Sequence, residues 1–431
     1  MNYKEVVTSF LTADQRILLL RRSDKVGSYQ GKWSAVSGYL EGSEEPLTRA
    51  VTEIREELSL SSEEISLVRI GGTVRAFDEA IATVWIIHPF LFEATSKSIK
   101  LDWENTDYSW VDSAELASYD TVPKLREALD RVRYDLQAEP VSLAGIIRKA
   151  KELAEDKVHG ATFLGRQAAL LLSEAAQASE AGDADGLFYH LLLIALRLRR
   201  AQPAMANVWN LTGELLHRVD HQRIGRISIE ELKGLIPKLG AQLLEEVEED
   251  SENAARNTAQ VLPQEGFVLT HSYSSAVLRA LELAFKGGRH FKVYATESYP
   301  GMEGKQLTKE LIELGVPVTL IADSAVNSII QNLSLVLVGA DSVLRDGSLV
   351  HKAGTRDIAL AALRHGIPVY SACETVKFST QNFLGERPDV PATLFDVTPA
   401  ESVASYITED GRLPPGRVEW RIKGLQKRVY W

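Results

Sequence analysis

The chain has 431 residues and a formal net charge of −11 at pH 7, with 45% hydrophobic and 25% charged residues. This length exceeds one ordinary hydrophobic core and predicts about two to four domains. The acidic balance disfavours broad electrostatic binding of nucleic acid, which needs a basic face, although it does not exclude a local basic pocket.

The cysteine content and the N-terminal sequence limit the cellular setting. Cys373 is the only cysteine, which excludes an intrachain disulfide, a cysteine zinc cage and a CxxC redox pair. The opening residues MNYKEVVTSF lack the segments of a signal peptide, and no apolar run approaches the roughly 20 residues of a membrane span. The sequence therefore predicts a cytoplasmic protein.

Residues 1–136 are predicted to form a compact α/β domain. Strand-like runs such as RILLL and ATVWIIHPFLF alternate with turns, and a helix is predicted near residues 123–135. The stretch SEEPLTRAVTEIREEL predicts a further helix, with Ser43 as its N-cap and Pro46 in its first turn. A new helix cap at Ser142 marks the start of the next domain.

The helix after Pro46 is both amphipathic and acidic. Glu53, Glu56 and Glu57 are spaced i, i+3 and i+4, so their side chains share one face. An apolar stripe fixes the other face against a core and consists of Leu47, Ala50, Val51, Ile54 and Leu58. Two interpretations fit this pattern. The carboxylates form a solvated face, as charge runs usually do, or they gather to hold a hard divalent cation, which prefers oxygen ligands.

The spacing around this helix resembles the signature box of the Nudix hydrolase family. That box runs from a glycine to a glutamate after five residues and then, after seven more, to Arg-Glu-aliphatic-x-Glu-Glu-x-Gly-aliphatic. Seven positions match, namely Gly38, Glu44, Glu53, Ile54, Glu56, Glu57 and Leu60. Two positions depart, because Thr52 replaces the arginine and Ser59 replaces the second glycine. The resemblance covers about residues 1–135 and implies an α/β/α sandwich with a mixed sheet.

The resemblance also implies an activity, namely hydrolysis of a nucleoside diphosphate-linked compound such as ADP-ribose, with Mg²⁺ or Mn²⁺. Glu53, Glu56 and Glu57 correspond to metal ligands or to the base that activates water. Gly38 would offer its backbone carbonyl to the metal. Glu44 would contact the residues that hold the metal and would not bind the metal itself.

Three further positions carry open alternatives. Arg22 is a candidate phosphate contact or a solvated arginine at a strand end. Glu104 is a candidate additional carboxylate or part of a surface turn. Thr52 cannot supply the positive charge by which the family's arginine orients the next glutamate, so Arg49 and Arg55 are candidates to replace it. A domain with this fold and no catalysis is the alternative.

The second part of the chain changes from helices to strands. Residues 142–253 are predicted to be helical, and residues 254–431 to form a Rossmann-like domain. Apolar runs such as GFVLT, FKVYAT and LSLVLVGAD, separated by helical stretches, predict a parallel doubly wound sheet. Such sheets bind ligands at the carboxyl ends of their strands, where Ser274, Ser275 and Asp341 are predicted to lie. Each also has a local explanation, because the serines suit an N-cap and Asp341 suits a turn.

Taken together, THSYSSAV, GAD and HKAGT resemble the initiation-factor-2B-like family over about residues 142–431. That family includes the regulatory subunits of a translation exchange factor, ribose-1,5-bisphosphate isomerase and methylthioribose-1-phosphate isomerase. The resemblance implies a homodimer and a pocket for a sugar phosphate or a nucleoside monophosphate. The corresponding positions in this chain are Ser272, Ser274, Ser275, Asp341, Lys352, Gly354 and Asn207.

Departures from the isomerases leave the role of this second part open. The isomerases carry a cysteine where this chain has Ser272, and a hydroxyl ionises far less readily than a thiol of pKa about 8.5. Tyr299 and Gln202 replace two arginines, which weakens the expected binding of a bisphosphate. The sequence thus predicts a hydrolase joined to a ligand-binding domain. The alternatives are a regulatory protein with a non-catalytic first domain and a sugar-phosphate isomerase that uses Asp341.

Overall fold

The computed structural model describes residues 2–14, 16–40, 44–71, 74–78, 83–132, 140–156, 160–201, 204–224, 227–380 and 392–429. The chain divides into two compact units, Met1–Ala138 and Glu139–Val429. Ser43 and Gln202 lie outside the described residues. No helix within the described ranges is long and apolar enough to cross a membrane.

The described residues of the first unit form eight strands, two α-helices and the short 3-10 helix Ser113–Ser118. The strands are β1 (Asn2–Ala13), β2 (Arg16–Arg22), β3 (Trp33–Ser34), β4 (Val36–Tyr39), β5 (Ile65–Ile70), β6 (Val74–Asp78), β7 (Thr83–Ala94) and β8 (Asn105–Val111). The helices are α1 (Pro46–Leu58) and α2 (Leu125–Val132).

The sheet of the first unit is mixed, as the resemblance to the Nudix family implies. Its strand order is β3-β2-β1-β7-β5, and β4, β6 and β8 pair with β1, β7 and β2 respectively. β1 and β7 run parallel, whereas β1 pairs antiparallel with β2 and β4. Helix α2 packs Leu125 and Leu129 into a core with Ile17, Leu19 and other buried residues of the sheet. Helix α1 packs against β1 and β4, which brings its glutamates beside Gly38.

Both ends of α1 differ from expectation: Ser43 is not its N-cap, and a serine instead of a glycine ends it. The N-cap residue is Glu45, and its side chain makes no capping hydrogen bond. At the other end Ser59 has φ 56°, and its N–H donates to the carbonyl of Arg55 at 3.0 Å. This left-handed conformation favours glycine, which explains why the Nudix pattern has glycine where this chain has Ser59.

The second unit contains ten α-helices, several short 3-10 helices and ten strands within its described residues. The helices are α3 (Ala144–Glu155), α4 (Ala161–Ala178), α5 (Ala184–Ala201), α6 (Ala206–Ile224), α7 (Ile229–Val261), α8 (Ser275–Lys286), α9 (Glu303–Glu313), α10 (Val326–Ile329), α11 (Thr355–Arg364) and α12 (Val418–Val429). The strands are β9 (Glu265–Thr270), β10 (His290–Thr296), β11 (Val318–Ile321), β12 (Leu335–Val338), β13 (Ser342–Val343), β14 (Leu349–Lys352), β15 (Val369–Ala372), β16 (Phe395–Thr398), β17 (Ser405–Thr408) and β18 (Gly411–Leu413).

A seven-stranded sheet forms the centre of the second unit. Its order is β11-β10-β9-β12-β15-β17-β18, and a separate small sheet has the order β13-β14-β16. All neighbours in the large sheet run parallel except β17 and β18. The chain builds outward in one direction from β9 and in the other from β12. The carboxyl ends of these two strands therefore meet at the topological switch point, where doubly wound sheets bind ligands.

Helix α7 carries the chain from the helical layer towards the sheet. It spans Ile229–Val261, so the boundary predicted at residue 253 falls inside this helix, and the first strand of the sheet begins at Glu265. The regular elements that the structure describes within residues 160–224 are the helices α4, α5 and α6.

Candidate functional sites

A cavity of about 520 Å³ lies in the first unit. Its lining includes Arg22, Gly38, Arg49, Glu53, Glu56, Glu57 and Glu104, and also the aromatic residues Tyr39, Trp85 and Trp103. The structure thus brings together the candidate residues of the first domain except Glu44, which is half-buried, and Arg55, which is exposed; neither is part of this lining.

Glu53 is held between a guanidinium and a glycine. Its side chain is 8% exposed and forms an ion pair with Arg49, one turn earlier in α1. A Cβ atom at Gly38 would collide with the Glu53 carboxylate, so only glycine leaves room for this glutamate. Burial raises the pKa of Glu53 to about 7, although Arg49 acts in the opposite direction. Glu53 is therefore a carboxylate that gains and loses its proton near neutral pH.

Glu57 is fixed by two hydrogen bonds. The N–H of Ser37 donates to Oε1 at 2.9 Å, and Nδ2 of Asn105 donates to Oε2 at 2.8 Å. Burial raises the pKa of Glu57 to about 8, even though both donors favour the ionised form. The sequence alone did not identify Asn105, and the available signal was its position directly after the candidate Glu104.

The remaining acidic groups add negative charge to the same cavity. Glu56 is exposed and Glu104 is half-buried. Burial and the neighbouring Asp102 raise the pKa of Glu104. Glu104 and Glu56 in turn contribute to the raised pKa of Glu53. The carboxylates therefore repel one another when ionised, which favours binding of a cation.

Arginines and aromatic rings complete the lining. Arg22 lies at the end of β2, where its Nε donates to the carbonyl of Ser28 at 3.1 Å. Tyr39 is 47% exposed and Trp103 is 59% exposed, so their rings are available to a ligand. The cavity thus combines negative and positive groups with flat apolar surfaces.

The carboxylate oxygens of this cavity are ligands of the kind that a divalent cation such as Mg²⁺ prefers. Within the part of the chain that the structure describes, no group of three or more His, Cys, Asp or Glu side chains forms a ready metal cage. Mg²⁺ does not require one, because it keeps several waters and takes one or two carboxylates. Glu53 and Glu57, which are buried and have raised pKa values, supply such carboxylates.

A second cavity, of about 690 Å³, lies at the switch point of the parallel sheet. Ser272, Ser274 and Ser275 line it from the turn between β9 and α8, and Asp341 lines it from the segment after β12. The rest of the lining includes Phe163, Arg166, Glu303, His351, Lys352 and Lys377.

Two predicted residues lie outside this second lining and have structural contacts. Gly354 is the N-cap of α11 with φ 104°, and its N–H donates to Oδ2 of Asp396 at 2.7 Å. Asn207 is buried near the start of α6, where its Nδ2 donates to the carbonyl of Ala161.

The turn between β9 and α8 holds its serines in different ways. Ser272 has φ 66°, and its N–H donates to Oγ of Ser298 at 2.6 Å. Ser274 is the N-cap of α8, and its hydroxyl accepts the N–H of Val277 at 3.4 Å. The cap explains Ser274 locally, while the left-handed turn at Ser272 places that residue in the cavity wall.

Cationic groups surround Asp341. Burial raises the pKa of Asp341 to about 6, with Lys377 and Lys352 acting in the opposite direction. Lys352 forms an ion pair with Glu303 at 2.6 Å and lies 5.3 Å from the ring centroid of Phe395. Lys377 was not identified from the sequence, although SACETVK follows a strand-like run and so belongs to the same sheet edge.

The pKa of Asp341 predicts a pH-dependent cost to stability. The folded chain holds this proton up to about pH 6, against an ordinary value of 3.8, so the cost is absent below 3.8 and complete above about 6. That difference corresponds to at most about 3 kcal/mol. Asp341→Asn should therefore raise the free energy of unfolding at pH 7.5 by about 1–3 kcal/mol and change it little at pH 4. Denaturant titrations at both pH values measure this, and equal effects at both would contradict it.

Comparisons with known proteins match both parts of the chain. Residues 157–390 match the family model of the initiation factor 2 subunit family, and residues 2–132 match that of the NUDIX domain. A putative translation initiation factor eIF-2B subunit 2-like protein of Pyrococcus furiosus is 31% identical over 286 residues, which cover 63% of this chain and 97% of that protein. A ribose 1,5-bisphosphate isomerase of Archaeoglobus fulgidus is 30% identical over 290 residues, which cover 63% of this chain and 90% of that protein.

A solved structure resembles a similar share of the chain. The translation initiation factor eIF-2B of Pyrococcus horikoshii OT3 superposes with a TM-score of 0.54 at 29% identity, covering 64% of this chain and 98% of that structure.

Proposed function

Because this chain belongs to the initiation factor 2 subunit family and carries a NUDIX domain ahead of the family region, we propose that its first unit hydrolyses a nucleoside diphosphate-linked compound with Mg²⁺ or Mn²⁺. The observation that carries this proposal is the pair Glu53 and Glu57. Both carboxylates are buried in one cavity, where their pKa values are raised to about 7 and about 8. A carboxylate that titrates near neutral pH suits a general base, and buried carboxylates suit a cation.

The residues of the first cavity have separate roles in this reaction. Glu53, Glu56, Glu57 and the carbonyl of Gly38 would hold the cation, which when bound neutralises charge on the diphosphate and favours ionisation of water. Arg22 contributes a guanidinium group for anionic phosphate oxygens. Tyr39 and Trp103 offer exposed rings on which a nucleobase can stack.

A substrate screen tests the proposed hydrolysis. The full chain is incubated with Mg²⁺ and a panel of nucleoside diphosphate sugars that includes ADP-ribose, and the monophosphate products are detected through phosphate released by a coupled phosphatase. Turnover of at least one compound is expected. The absence of turnover with every compound supports a non-catalytic first unit instead.

The raised pKa values predict that metal affinity depends on pH. Below pH 7 both Glu53 and Glu57 bind protons, which a cation must displace, whereas above pH 8 both are ionised. The affinity for Mg²⁺ should therefore rise by up to about 1,000-fold between pH 6 and pH 9, with release of one to two protons at pH 7. Calorimetry in two buffers of different ionisation enthalpy measures both quantities. Affinity that is independent of pH would contradict the assignment of these two ligands.

For the second unit we propose binding of a sugar phosphate or a nucleoside monophosphate, the products expected from the first unit. Support comes from its cavity at the switch point, which combines Lys352 and Lys377 with the N-terminal end of α8. Calorimetry on the full-length Glu53→Gln variant, which avoids turnover, tests this with AMP and ribose 5-phosphate. No heat with either compound at millimolar concentration would refute it.

Two alternatives follow from the names of the relatives. A regulatory role fits the similarity to a translation initiation factor protein, and Thr52 in place of arginine agrees with a non-catalytic first unit. An isomerase fits the similarity to ribose 1,5-bisphosphate isomerases and the retained Asp341, whereas Ser272 disfavours it. Conversion of ribose 1,5-bisphosphate that is lost in Asp341→Asn would establish the isomerase.

The cellular compartment and the oligomeric state of the protein are proposals as well. We propose a homodimer in the cytoplasm, because a single buried cysteine leaves the chain without an intrachain disulfide and because the resemblance to the initiation-factor-2B-like family implies dimerisation through the Rossmann-like region. Light scattering should give twice the chain mass of 47.7 kDa, and a mass of one chain at micromolar concentration would contradict the dimer.

A further inference from the structure

Arg49 lies four residues before Glu53 in α1 and forms an ion pair with its carboxylate. We propose that Arg49 is the positioning residue for Glu53, and that it orients this carboxylate in place of the arginine that is absent at position 52. The inference rests on the proposed hydrolytic function of the first cavity. It concerns how the chain prepares that cavity before any ligand binds.

Thr52 is occupied by its own helix. Its hydroxyl donates to the carbonyl of Thr48 at 2.9 Å, a contact that turns the side chain back along α1. Arg55 is exposed and stands in the last turn of the helix. Position 52 therefore supplies neither charge nor a hydrogen bond to Glu53, and the contact that the structure records comes from Arg49.

Helix geometry favours this replacement. The Cα–Cβ bonds of a helix lean towards its N-terminus, so the side chain at i+4 lies above the residue at i. Glu53 therefore extends back over Arg49, whose planar guanidinium fork contacts the carboxylate through Nη2 and Oε1. A lysine supplies the same charge without this planar fork.

The surroundings leave Glu53 little freedom. Its carboxylate lies against the Gly38 backbone on one side, because a Cβ there would collide with it, and against Arg49 on the other. Glu44 and Glu56 are negative neighbours that act on Arg49. The negative charges of Glu44 and Glu56 attract the guanidinium towards the acidic face of α1. Glu44 therefore acts on Glu53 through Arg49, by holding the guanidinium in place.

Four variants of the full chain separate positioning from substrate binding. They are Arg49→Gln, Arg49→Lys, the double variant Arg49→Gln/Thr52→Arg, and Arg55→Gln as the control. The readouts are kcat and KM for the compound found in the screen, and the affinity for Mn²⁺ alone. Residues that orient metal ligands affect metal affinity or activity by about 10–100-fold when they are removed.

Arg49→Gln should lower both kcat and Mn²⁺ affinity by about 10–100-fold, with KM changed less than threefold. Arg49→Lys should recover part of this loss, and the double variant should recover at least tenfold in one readout because it restores an arginine beside Glu53. Arg55→Gln should behave as the wild-type chain.

Several results would overturn the inference. An unchanged kcat and Mn²⁺ affinity in Arg49→Gln is one, and a rise in KM alone is another, because it would make Arg49 a substrate contact. A folded double variant no better than Arg49→Gln also contradicts it. If the wild-type chain binds Mn²⁺ but turns over no compound, the proposed function fails and the Mn²⁺ titrations alone decide the role of Arg49. If the wild-type chain binds no Mn²⁺, both ideas fail.

Discussion

Replacing Glu53 or Glu57 by glutamine is expected to lower the turnover of a nucleoside diphosphate substrate by about 10²–10⁴-fold. Glutamine keeps the shape of each side chain but removes its negative charge and its ability to accept a proton. In Glu57→Gln, one of the two donors now bound to the carboxylate, the Ser37 N–H or Nδ2 of Asn105, also loses its acceptor. The steady-state rate with Mg²⁺ measures the effect for both variants.

Glu63→Gln is the matched control for these variants. Glu63 is exposed and lies outside the cavity lining, so its replacement should leave the rate unchanged. Thermal unfolding of all three variants separates loss of activity from loss of fold. If Glu53→Gln and Glu57→Gln are folded and retain more than half of the wild-type rate, these carboxylates do not serve the reaction.

Replacing Lys377 by methionine is expected to destabilise the second unit by about 3–5 kcal/mol. Lys377 and Glu374 form an ion pair at 3.0 Å, and their side chains are only 5% and 1% exposed. Burial alone would raise the pKa of Glu374, but Lys377 lowers it, so the pair is charged in the fold. Removing the lysine leaves a buried carboxylate without its partner, which is far more costly than losing an exposed pair.

A double variant and a surface pair provide the controls. Lys377→Met/Glu374→Gln removes both charges and should recover at least half of the lost stability. Lys309→Met breaks an exposed pair with Glu313, whose side chains are 77% and 63% exposed, and should change stability by less than about 1 kcal/mol. Denaturant titration gives each value. A Lys377→Met loss no larger than that of Lys309→Met would show that the buried pair does not stabilise the fold.

The sequence predicted the architecture of the first unit because its signals are local. Apolar periodicity gave the acidic helix, and the spacing of Glu53, Glu56 and Glu57 placed them on one face. The sequence could not predict which of the three glutamates are buried and which is exposed. The packing of α1 against β4 buries Glu53 and Glu57 and leaves Glu56 exposed. That difference depends on contacts between distant segments, such as the one between Glu57 and Asn105.

The second cavity shows the same limit. Strand spacing predicted the sheet edge at which Ser274 and Asp341 lie, because the carboxyl ends of parallel strands share one edge. Motif resemblance also proposed Gly354 and Asn207, which the structure places outside the lining. There the N–H of Gly354 donates to the side chain of Asp396, and the side chain of Asn207 donates to the backbone carbonyl of Ala161. Lys377 was missed because a lysine after a strand is ordinarily solvated, and only the fold shows its buried pairing with Glu374.

The position of the water oxygen in the products tests the central claim most directly. The wild-type chain is allowed to turn over its substrate with Mg²⁺ in water enriched in ¹⁸O, and both products are weighed by mass spectrometry. If the first unit directs water to phosphorus, one ¹⁸O atom should appear in a phosphate group of one product, and Glu53→Gln should form that product at least about 100-fold more slowly. Failure to form any product would contradict hydrolysis of the diphosphate. The same holds if ¹⁸O appears in a hydroxyl group of the sugar rather than in a phosphate, because water would then have attacked carbon.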